Sequence, residues 1–123
     1  MSRAAVQVRE DNREEFEREL EARIVLAKFE IWDKANPDAW PLIVDEAMRE
    51  VENKRRFGVR WIMENLRKVE RTDRCGEPFH WPNEYAPIIA RRLVREHPEC
   101  KPFISLRKSR FDALMNGAKD AGH

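Results

Sequence analysis

Large apolar residues recur at helical spacing through the first third of the chain. They follow one another at intervals of four, four, three and four residues: Phe16, Leu20, Ile24, Ala27 and Ile31. With about 100° between successive residues, this spacing places all five on one side of a helix, opposite a charged side. It predicts a long amphipathic helix over about residues 12–35, preceded by a flexible tail at residues 1–10. Asn12 and Glu15 have the spacing of a capping box at its start.

Prolines predict where the helices end. Asn36-Pro37 ends the first helix because proline disfavours helical backbone in the residue before it, and Asn36 or Asp38 is expected to cap the second helix. The apolar spacing between the prolines predicts four further helices, over about residues 38–52, 57–69, 83–96 and 102–116. The expected inward-facing residues are Trp40, Ile43, Val44, Ala47, Met48, Val51, Ile62, Leu66, Val69, Tyr85, Ile88, Ile89, Leu93, Phe103, Leu106, Phe111 and Leu114. Residues 117–123 are expected to form a flexible C-terminal tail.

A β-hairpin is predicted between the third and fourth helices. Two short extended segments, 69–72 and 78–81, flank a loop that contains Gly76, which is typical of a hairpin. Pro78 and Pro82 limit it to a short ribbon. The predicted fold is mainly α, with one domain of about five helices over residues 11–116 and a short β-hairpin. Three helices followed by a ribbon is the element order of a winged helix-turn-helix.

Composition narrows the class of protein. A length of 123 residues indicates one domain, and an apolar fraction of 41% is enough for a packed core. No apolar run approaches the roughly 18 residues that a membrane span needs, and no signal peptide is evident at the N-terminus. Two cysteines are too few for a disulfide scaffold, which favours a reducing compartment. We therefore expect a cytoplasmic protein with no membrane partner.

The charge is segregated along the chain although the net charge is only +1. Residues 10–52 carry 14 acids and 6 bases, whereas residues 53–74 carry 8 bases and 3 acids. The basic segment coincides with the predicted third helix and hairpin, and a basic helix with a hairpin suits a nucleic-acid groove. The leading hypothesis is a small DNA-binding regulatory protein. Its expected nucleic-acid contacts are Arg55, Arg56, Arg60, Arg67, Arg71, Arg74 and Trp81.

Other interpretations of the same charges stay open. Residues 10–52, the acidic limb, carry enough excess acids to neutralise the basic segment within one molecule through salt bridges. It could equally imitate a nucleic-acid backbone, so the second hypothesis is an inhibitor or adaptor that binds a host protein, such as a defence nuclease, through Glu14, Glu17 and Glu21. A homodimer through the long first helix is a further possibility.

The sequence contains no motif of a known catalytic centre. A Gly-rich phosphate loop, an H-E-x-x-H helix and a G-x-S-x-G elbow are all absent, which favours a protein that is not an enzyme and needs no cofactor. Cys75, His80, His97 and Cys100 are zinc-ligand types, but their spacing is not that of a standard finger, so they are weak metal candidates. Arg91 is expected to form a structural ion pair with a glutamate such as Glu64.

Four blocks of sequence carry a resemblance to a known family. They are Trp32 with Asn36 and Pro37, then Ile62-x-Glu64-x-Leu66-Arg67, then Asn83-x-Tyr85 with Ala90-Arg91, and finally Phe103 with Arg107. This set resembles the signature blocks of a family of small proteins found in phages and bacterial genomes. The resemblance runs from Phe29 to Lys108. It implies phage origin but no particular mechanism, because the family has no established activity.

Overall fold

The computed structural model describes the backbone of residues 3–115 and the side chains of residues 10–115. The chain forms one small, mainly helical domain, as predicted. Its α-helices are α1 (Arg3–Ala35), α2 (Ala39–Glu52), α3 (Val59–Arg67) and α4 (Ala86–Glu96). Short 3₁₀ turns precede and follow α4, at Asn83–Tyr85 and Pro98–Cys100, and a fifth helical segment covers residues 111–115.

Helix α1 ends as predicted but begins earlier. Asn12 lies well inside the helix, so the capping box that Asn12 and Glu15 were expected to form is wrong. At the other end, the Asn36 side-chain amide donates to the Trp32 carbonyl oxygen at 2.9 Å, so Asn36 closes α1 and provides no side-chain cap for α2. The flexibility expected of residues 1–10 stays a prediction.

The main difference from the sequence-based prediction is which side of α1 packs on the domain. The predicted apolar stripe faces solvent, with Phe16 64%, Leu20 47%, Ile24 49% and Ile31 70% exposed. The face that packs on the domain instead carries Ala22, Val25, Leu26, Phe29 and Trp32. Apolar residues therefore occupy two opposite sides of this helix, and the periodicity identified the side that the domain leaves uncovered.

The core lies among α2, α3 and α4. Most of the predicted inward residues of these helices are buried: Ile43, Ala47, Ile62, Leu66, Tyr85, Ile88, Ile89 and Leu93. Val69 is an exception, because α3 ends at Arg67 and leaves Val69 53% exposed. Glu50 is a buried carboxylate on α2, and the Arg55 guanidinium neutralises it with an Nε–Oε2 distance of 3.0 Å.

An aromatic cluster attaches the C-terminal half of α1 to the core. Phe29 meets Tyr85 edge to face with ring centroids 5.5 Å apart, and the Trp32 ring lies 5.7 Å from that of Tyr85. Trp81 completes the cluster, 6.2 Å from Trp32 and 4.7 Å from Phe79. Aromatic pairs at these distances contribute about 0.5–1.5 kcal/mol each beyond the burial of their surface.

The segment predicted as a hairpin forms a tight loop. Thr72 and Pro78 make one isolated antiparallel bridge, and no strand forms within the described residues. Asp73 organises the loop, since its Oδ1 accepts hydrogen bonds from the amides of Cys75 at 2.9 Å and Glu77 at 3.0 Å. Gly76 sits between them at φ 85, a left-handed conformation that glycine adopts at little cost.

The predicted final helix over residues 102–116 is largely wrong. Residues 105–109 have no regular structure, and only 111–115 are helical. The reason is a parallel bridge between Phe57 and Ile104, in which the Phe57 amide donates to Phe103 at 2.9 Å and the Ser105 amide donates to Phe57 at 2.8 Å. This pairing holds the segment extended and leaves Leu106 44% exposed. The predicted tail at 117–123 lies outside the described residues.

Candidate functional site

A basic cleft of about 430 Å³ opens where the start of α3, the start of α4 and residues 105–109 meet. Arg60 contributes from α3, Arg91 from α4, and Arg107 and Lys108 from the irregular segment. Among the described residues, four cationic side chains and no carboxylate line the cleft. Such a lining produces a positive potential, which low-dielectric walls concentrate.

The start of α3 adds to this potential. Gly58 precedes the helix in an extended conformation, and no side chain caps the helix there. The first amides of a helix have no partner within the helix, and they carry its partial positive charge. Apart from its two chain neighbours, no described residue comes within 4 Å of the position that a Cβ on Gly58 would occupy, so this wall of the cleft is open.

Arg91 fixes the opposite wall. Its side chain is only 10% exposed, and its Nε lies 2.6 Å from Asp112 Oδ1. It also donates to the carbonyl oxygens of Pro87 and Arg107, so each of its three nitrogens makes a hydrogen bond within the protein. The hydrogen bond from Arg91 lowers the pKa of Asp112 below its ordinary value. Partial burial of the carboxyl group acts in the opposite direction, and the hydrogen bond from the Ser109 amide lowers the pKa further. Arg91 therefore serves to position the segment that carries Arg107 and Lys108.

The expected ion pair of Arg91 exists with a different partner. Glu64, the partner predicted from the sequence, binds Arg67 one helical turn away on α3. Asp112 lies at the start of the last helical segment and meets Arg91 in the middle of α4. The sequence predicted that Arg91 forms a structural ion pair but did not identify Asp112 as its partner.

Arg60, Arg107 and Lys108 have free cationic groups. None of their side chains has a hydrogen-bond or ion-pair partner among the residues that the structure describes. Arg56 is also exposed and unpaired within that range, two residues before α3. Because Arg56 precedes α3, it does not share a helix face with Arg60 and Arg67, the expected contacts that lie on α3.

Three of the predicted contact arginines are engaged inside the molecule. Arg67 donates to the Trp81 carbonyl oxygen and to Asn83 Oδ1, the latter at 2.7 Å. Arg55 neutralises the buried Glu50, and Arg74 pairs with Asp38 at 3.3 Å. Arg55 and Arg74 keep exposed side chains, whereas Arg67 is mostly covered.

Arg71 borders a second cavity of about 640 Å³ between the end of α3 and the loop. Its Nε is buried and has no hydrogen-bond partner in the described structure. The aromatic floor of this cavity comes from Phe79 and Trp81. Glu70 also lines it, so this cavity has a carboxylate among its described lining residues, whereas the basic cleft has none.

The expectation of an exposed Trp81 is wrong. Its side chain is 5% exposed and packs in the aromatic cluster, which leaves no free ring face for stacking on a base. Asn83 accepts a hydrogen bond from Arg67, and Pro82 and Tyr85 occupy the N-cap positions of the 3₁₀ turn and of α4. Of the tryptophans, Trp61 on α3 is the most accessible at 47% exposed.

The predicted acidic partner site lies on an exposed part of α1. Every residue from 10 to 21 is exposed, and this stretch carries seven acids and two bases. Glu14 has no ion-pair partner within the described structure, Glu17 lies 3.8 Å from Arg13, and Glu21 lies 3.4 Å from Arg110.

The four metal candidates do not come together. Cys75 is exposed on the loop, whereas Cys100 is fully buried with its Sγ 4.0 Å from Met48 Sδ. His80 is exposed, and His97 faces Glu99 at 3.5 Å. Within residues 3–115, no group of three or more His, Cys, Asp or Glu side chains is arranged to hold a metal ion.

Sequence reasoning missed the contribution of Arg107 and Lys108 to the cleft. The signal was present, since Ser105 to Arg110 holds three bases and two serines. The predicted helix over 102–116 would have spread these side chains around its circumference. The bridge between Phe57 and Ile104 instead brings them beside the start of α3.

Comparison with protein-family models, curated proteins and solved structures finds no match to this chain. The resemblance to the small phage and bacterial proteins therefore stays a prediction. Within the part of the molecule that can be described, no helix combines the length and the apolar character needed to cross a membrane.

Proposed function

We propose that this protein binds duplex DNA through the basic cleft and the exposed start of α3. The observation that carries the proposal is the lining of the cleft, in which Arg60, Arg107 and Lys108 have no ion-pair partner among the described residues and no carboxylate is present. Phosphate oxygens are the natural partners of such a cationic cluster beside the start of a helix.

The shape of the surface around the cleft supports DNA as the source of those phosphates. Arg60 and Trp61 occupy the first turn of α3, and in helix-turn-helix proteins the N-terminal residues of the recognition helix contact the base edges. Arg56 extends the cationic surface on one side, and Arg107 and Lys108 extend it on the other. In this winged-helix interpretation, α3 is the recognition helix, and the loop that bears Arg71 and Arg74 is the wing.

The proposed contact set is thus narrower than the sequence indicated. Arg67 and Trp81 support the fold, and Arg55 and Arg74 lie at the edge with their own carboxylate partners. The protein would act as a regulatory DNA-binding protein in the host cytoplasm, without a catalytic role or a cofactor. We include phage origin in the proposal because the four sequence blocks resemble those of the phage and bacterial family.

Fluorescence anisotropy with a labelled duplex of about 20 base pairs tests the proposal at low salt, where phosphate contacts are strongest. Combined substitution of Arg60→Ala, Arg107→Ala and Lys108→Ala is expected to weaken binding by at least about tenfold. A matched variant, Arg13→Ala with Arg18→Ala and Arg95→Ala, removes the same charge elsewhere and should retain most of the affinity. Absence of binding by the unmodified chain at about 50 mM salt, or equal losses in both variants, would contradict the proposal.

The exposed acidic part of α1 favours one alternative function. A helix arm that presents seven acids and two bases over residues 10–21 could occupy the nucleic-acid site of a host protein. Charge reversal at Glu14 and Glu17 should then abolish capture of that protein, while the cleft variant should leave capture unchanged. The reverse pattern, with DNA binding lost only in the cleft variant, supports the DNA-binding function.

A further inference from the structure

The outward face of α1 is a continuous apolar stripe that the domain does not cover. At about 100° per residue, its five members fall within about 80° of one another on the helix surface. They are Phe16, Leu20, Ile24, Ala27 and Ile31, all of them exposed. An exposed contiguous patch of large apolar side chains marks an interaction surface more often than chance.

The length of α1 points in the same direction. Arg3–Ala35 is a helix of 33 residues, yet its first buried residue among those with described side chains is Ala22. No side chain between residues 10 and 21 is buried against the described part of the domain, and isolated helices of this length are marginal in water. Surface pairs such as Arg23 with Glu19 at 2.7 Å add only a few tenths of a kcal/mol. A second helix along the stripe would cover the exposed apolar side chains from Phe16 to Ile31.

We propose that the stripe is a homodimer interface, in which α1 packs antiparallel against α1 of a second copy. Leu20, Ile24, Ala27 and Ile31 are spaced four, three and four apart, which is the alternation of a coiled-coil seam. In the antiparallel register, Leu20 packs on Ile31 of the second copy and Ile24 packs on Ala27 of the second copy. The small Ala27 side chain allows the two helices to approach closely at the centre.

The charges beside the seam select the antiparallel orientation. Glu21 and Lys28 lie along one flank, and Arg23 and Glu30 lie along the other. Antiparallel packing places Glu21 near Lys28 of the second copy, and two-fold symmetry repeats the contact. The other flank likewise pairs Arg23 with Glu30, so both flanks bring opposite charges together.

The parallel arrangement is disfavoured by the same residues. In a parallel pair, Arg23 faces Lys28 of the second copy, and symmetry creates this repulsion twice. Lys28 and Glu30 have no ion-pair partner within residues 10–115 of their own chain, so both are available for contacts between copies. Arg23 and Glu21 also have exposed partners within the chain, Glu19 and Arg110, which do not block a second carboxylate or ammonium group.

The opposite face of α1 remains free to hold the domain. Ala22, Leu26 and Phe29 lie on the far side of the helix from Ile24, so dimerisation does not compete with the core. The inference is independent of DNA binding, since the basic cleft lies on α3, α4 and residues 105–109. Failure of one therefore does not imply failure of the other.

Sedimentation equilibrium of the full chain, from about 1 µM to about 1 mM, tests the interface directly. The expected result is a reversible monomer–dimer equilibrium. Ile24→Glu should raise the dissociation constant by more than about a hundredfold, because it places two carboxylates in the seam. Circular dichroism should show that this variant stays folded as a monomer, with a loss of helix signal limited to the exposed half of α1.

Lys28→Glu distinguishes the two orientations by the sign of its effect. In the antiparallel dimer it places a carboxylate at position 28 beside Glu21 of the second copy and should raise the dissociation constant about tenfold. In a parallel dimer the same change relieves repulsion with Arg23 and lowers the constant. Arg18→Glu, an equal charge change on the opposite side of the helix, is the control and should have little effect.

Three outcomes would overturn the inference. The first is a monomer throughout the concentration range. The second is a dimer that Ile24→Glu leaves intact, which places the interface elsewhere. The third is tighter association of the Lys28→Glu variant, which indicates parallel helices. Binding of the monomer to phospholipid vesicles through the stripe, with no dimer in their absence, would assign the stripe to a membrane surface instead.

Discussion

The Arg67 guanidinium donates a hydrogen bond to Asn83 Oδ1 at 2.7 Å and so joins the end of α3 to the turn that precedes α4. The same guanidinium group binds the Trp81 carbonyl oxygen and Glu64. The contacts to Trp81 and Asn83 span 14 to 16 residues of sequence across the loop between the two helices. Arg67 therefore holds the loop and the aromatic cluster in place, in contrast to Arg60 on the same helix.

Arg67→Ala is expected to reduce stability, whereas Arg60→Ala is expected to reduce DNA affinity. Loss of Arg67 should lower the free energy of unfolding by about 1.5–3 kcal/mol, the range for hydrogen bonds to a charged group. Loss of Arg60, which has no partner in the described structure, should change stability by less than about 0.5 kcal/mol and weaken DNA binding. Urea titration and anisotropy measure the two effects, and a stability loss from Arg60→Ala equal to that from Arg67→Ala would show that Arg60 is not free.

Asp112 predicts a specific dependence of stability on pH. The hydrogen bond from Arg91 lowers its pKa in the folded state, so the folded protein favours the carboxylate more than the unfolded chain does. The resulting stabilisation is complete above the unfolded pKa of about 3.9 and is lost as the pH falls through the lower folded value. The contribution of Asp112 therefore makes the folded protein less stable as the pH falls.

Comparison with Asp112→Asn isolates that contribution. The advantage of the unmodified chain in unfolding free energy should be constant from about pH 7 to pH 5 and should shrink between about pH 4 and pH 2. Its size will be modest because the Asp112 side chain is 40% exposed. Urea titrations at each pH measure it, and an advantage that does not change with pH would contradict the assignment.

The two cysteines should differ in their rate of alkylation. Cys75 is exposed on the loop, whereas Cys100 is fully buried, and its pKa is raised first by burial and then by the charge of Glu99. Since the thiolate is the reactive form, iodoacetamide at pH 8 should modify one thiol quickly and the second only on unfolding. In the Cys75→Ser variant the fast phase should disappear. A fast phase that persists would show that the region around Cys100 opens readily.

Local patterns predicted the helical core well. The positions of α2 and α4 and the burial of Ile43, Ile62 and Leu93 follow from apolar spacing and from proline, which act within a few residues. The mainly helical domain was predicted for the same reason. The side of α1 that faces the domain was not, because this helix carries apolar residues on two opposite sides and periodicity alone does not rank them.

The candidate site depended on contacts between distant parts of the chain. The bridge from Phe57 to Ile104 and the ion pair from Arg91 to Asp112 place Arg107 and Lys108 beside Arg60, and neither contact has a local sequence signal. Charge counts identified the basic segment at residues 53–74, which contains Arg60, and left open which of its bases are paired within the molecule. They did not separate Arg60 from Arg67, because the acceptors on Trp81 and Asn83 become neighbours of Arg67 only in the folded chain.

The salt dependence of DNA affinity tests the central claim most directly. Each phosphate contact contributes about −0.9 to the slope of log K against log salt, so the slope counts the cations that meet the backbone. If Arg60, Arg107 and Lys108 each bind a phosphate, the variant that lacks all three should have a slope shallower by about 2–3 than the unmodified chain. An unchanged slope in that variant would contradict the basic cleft as the DNA-binding site.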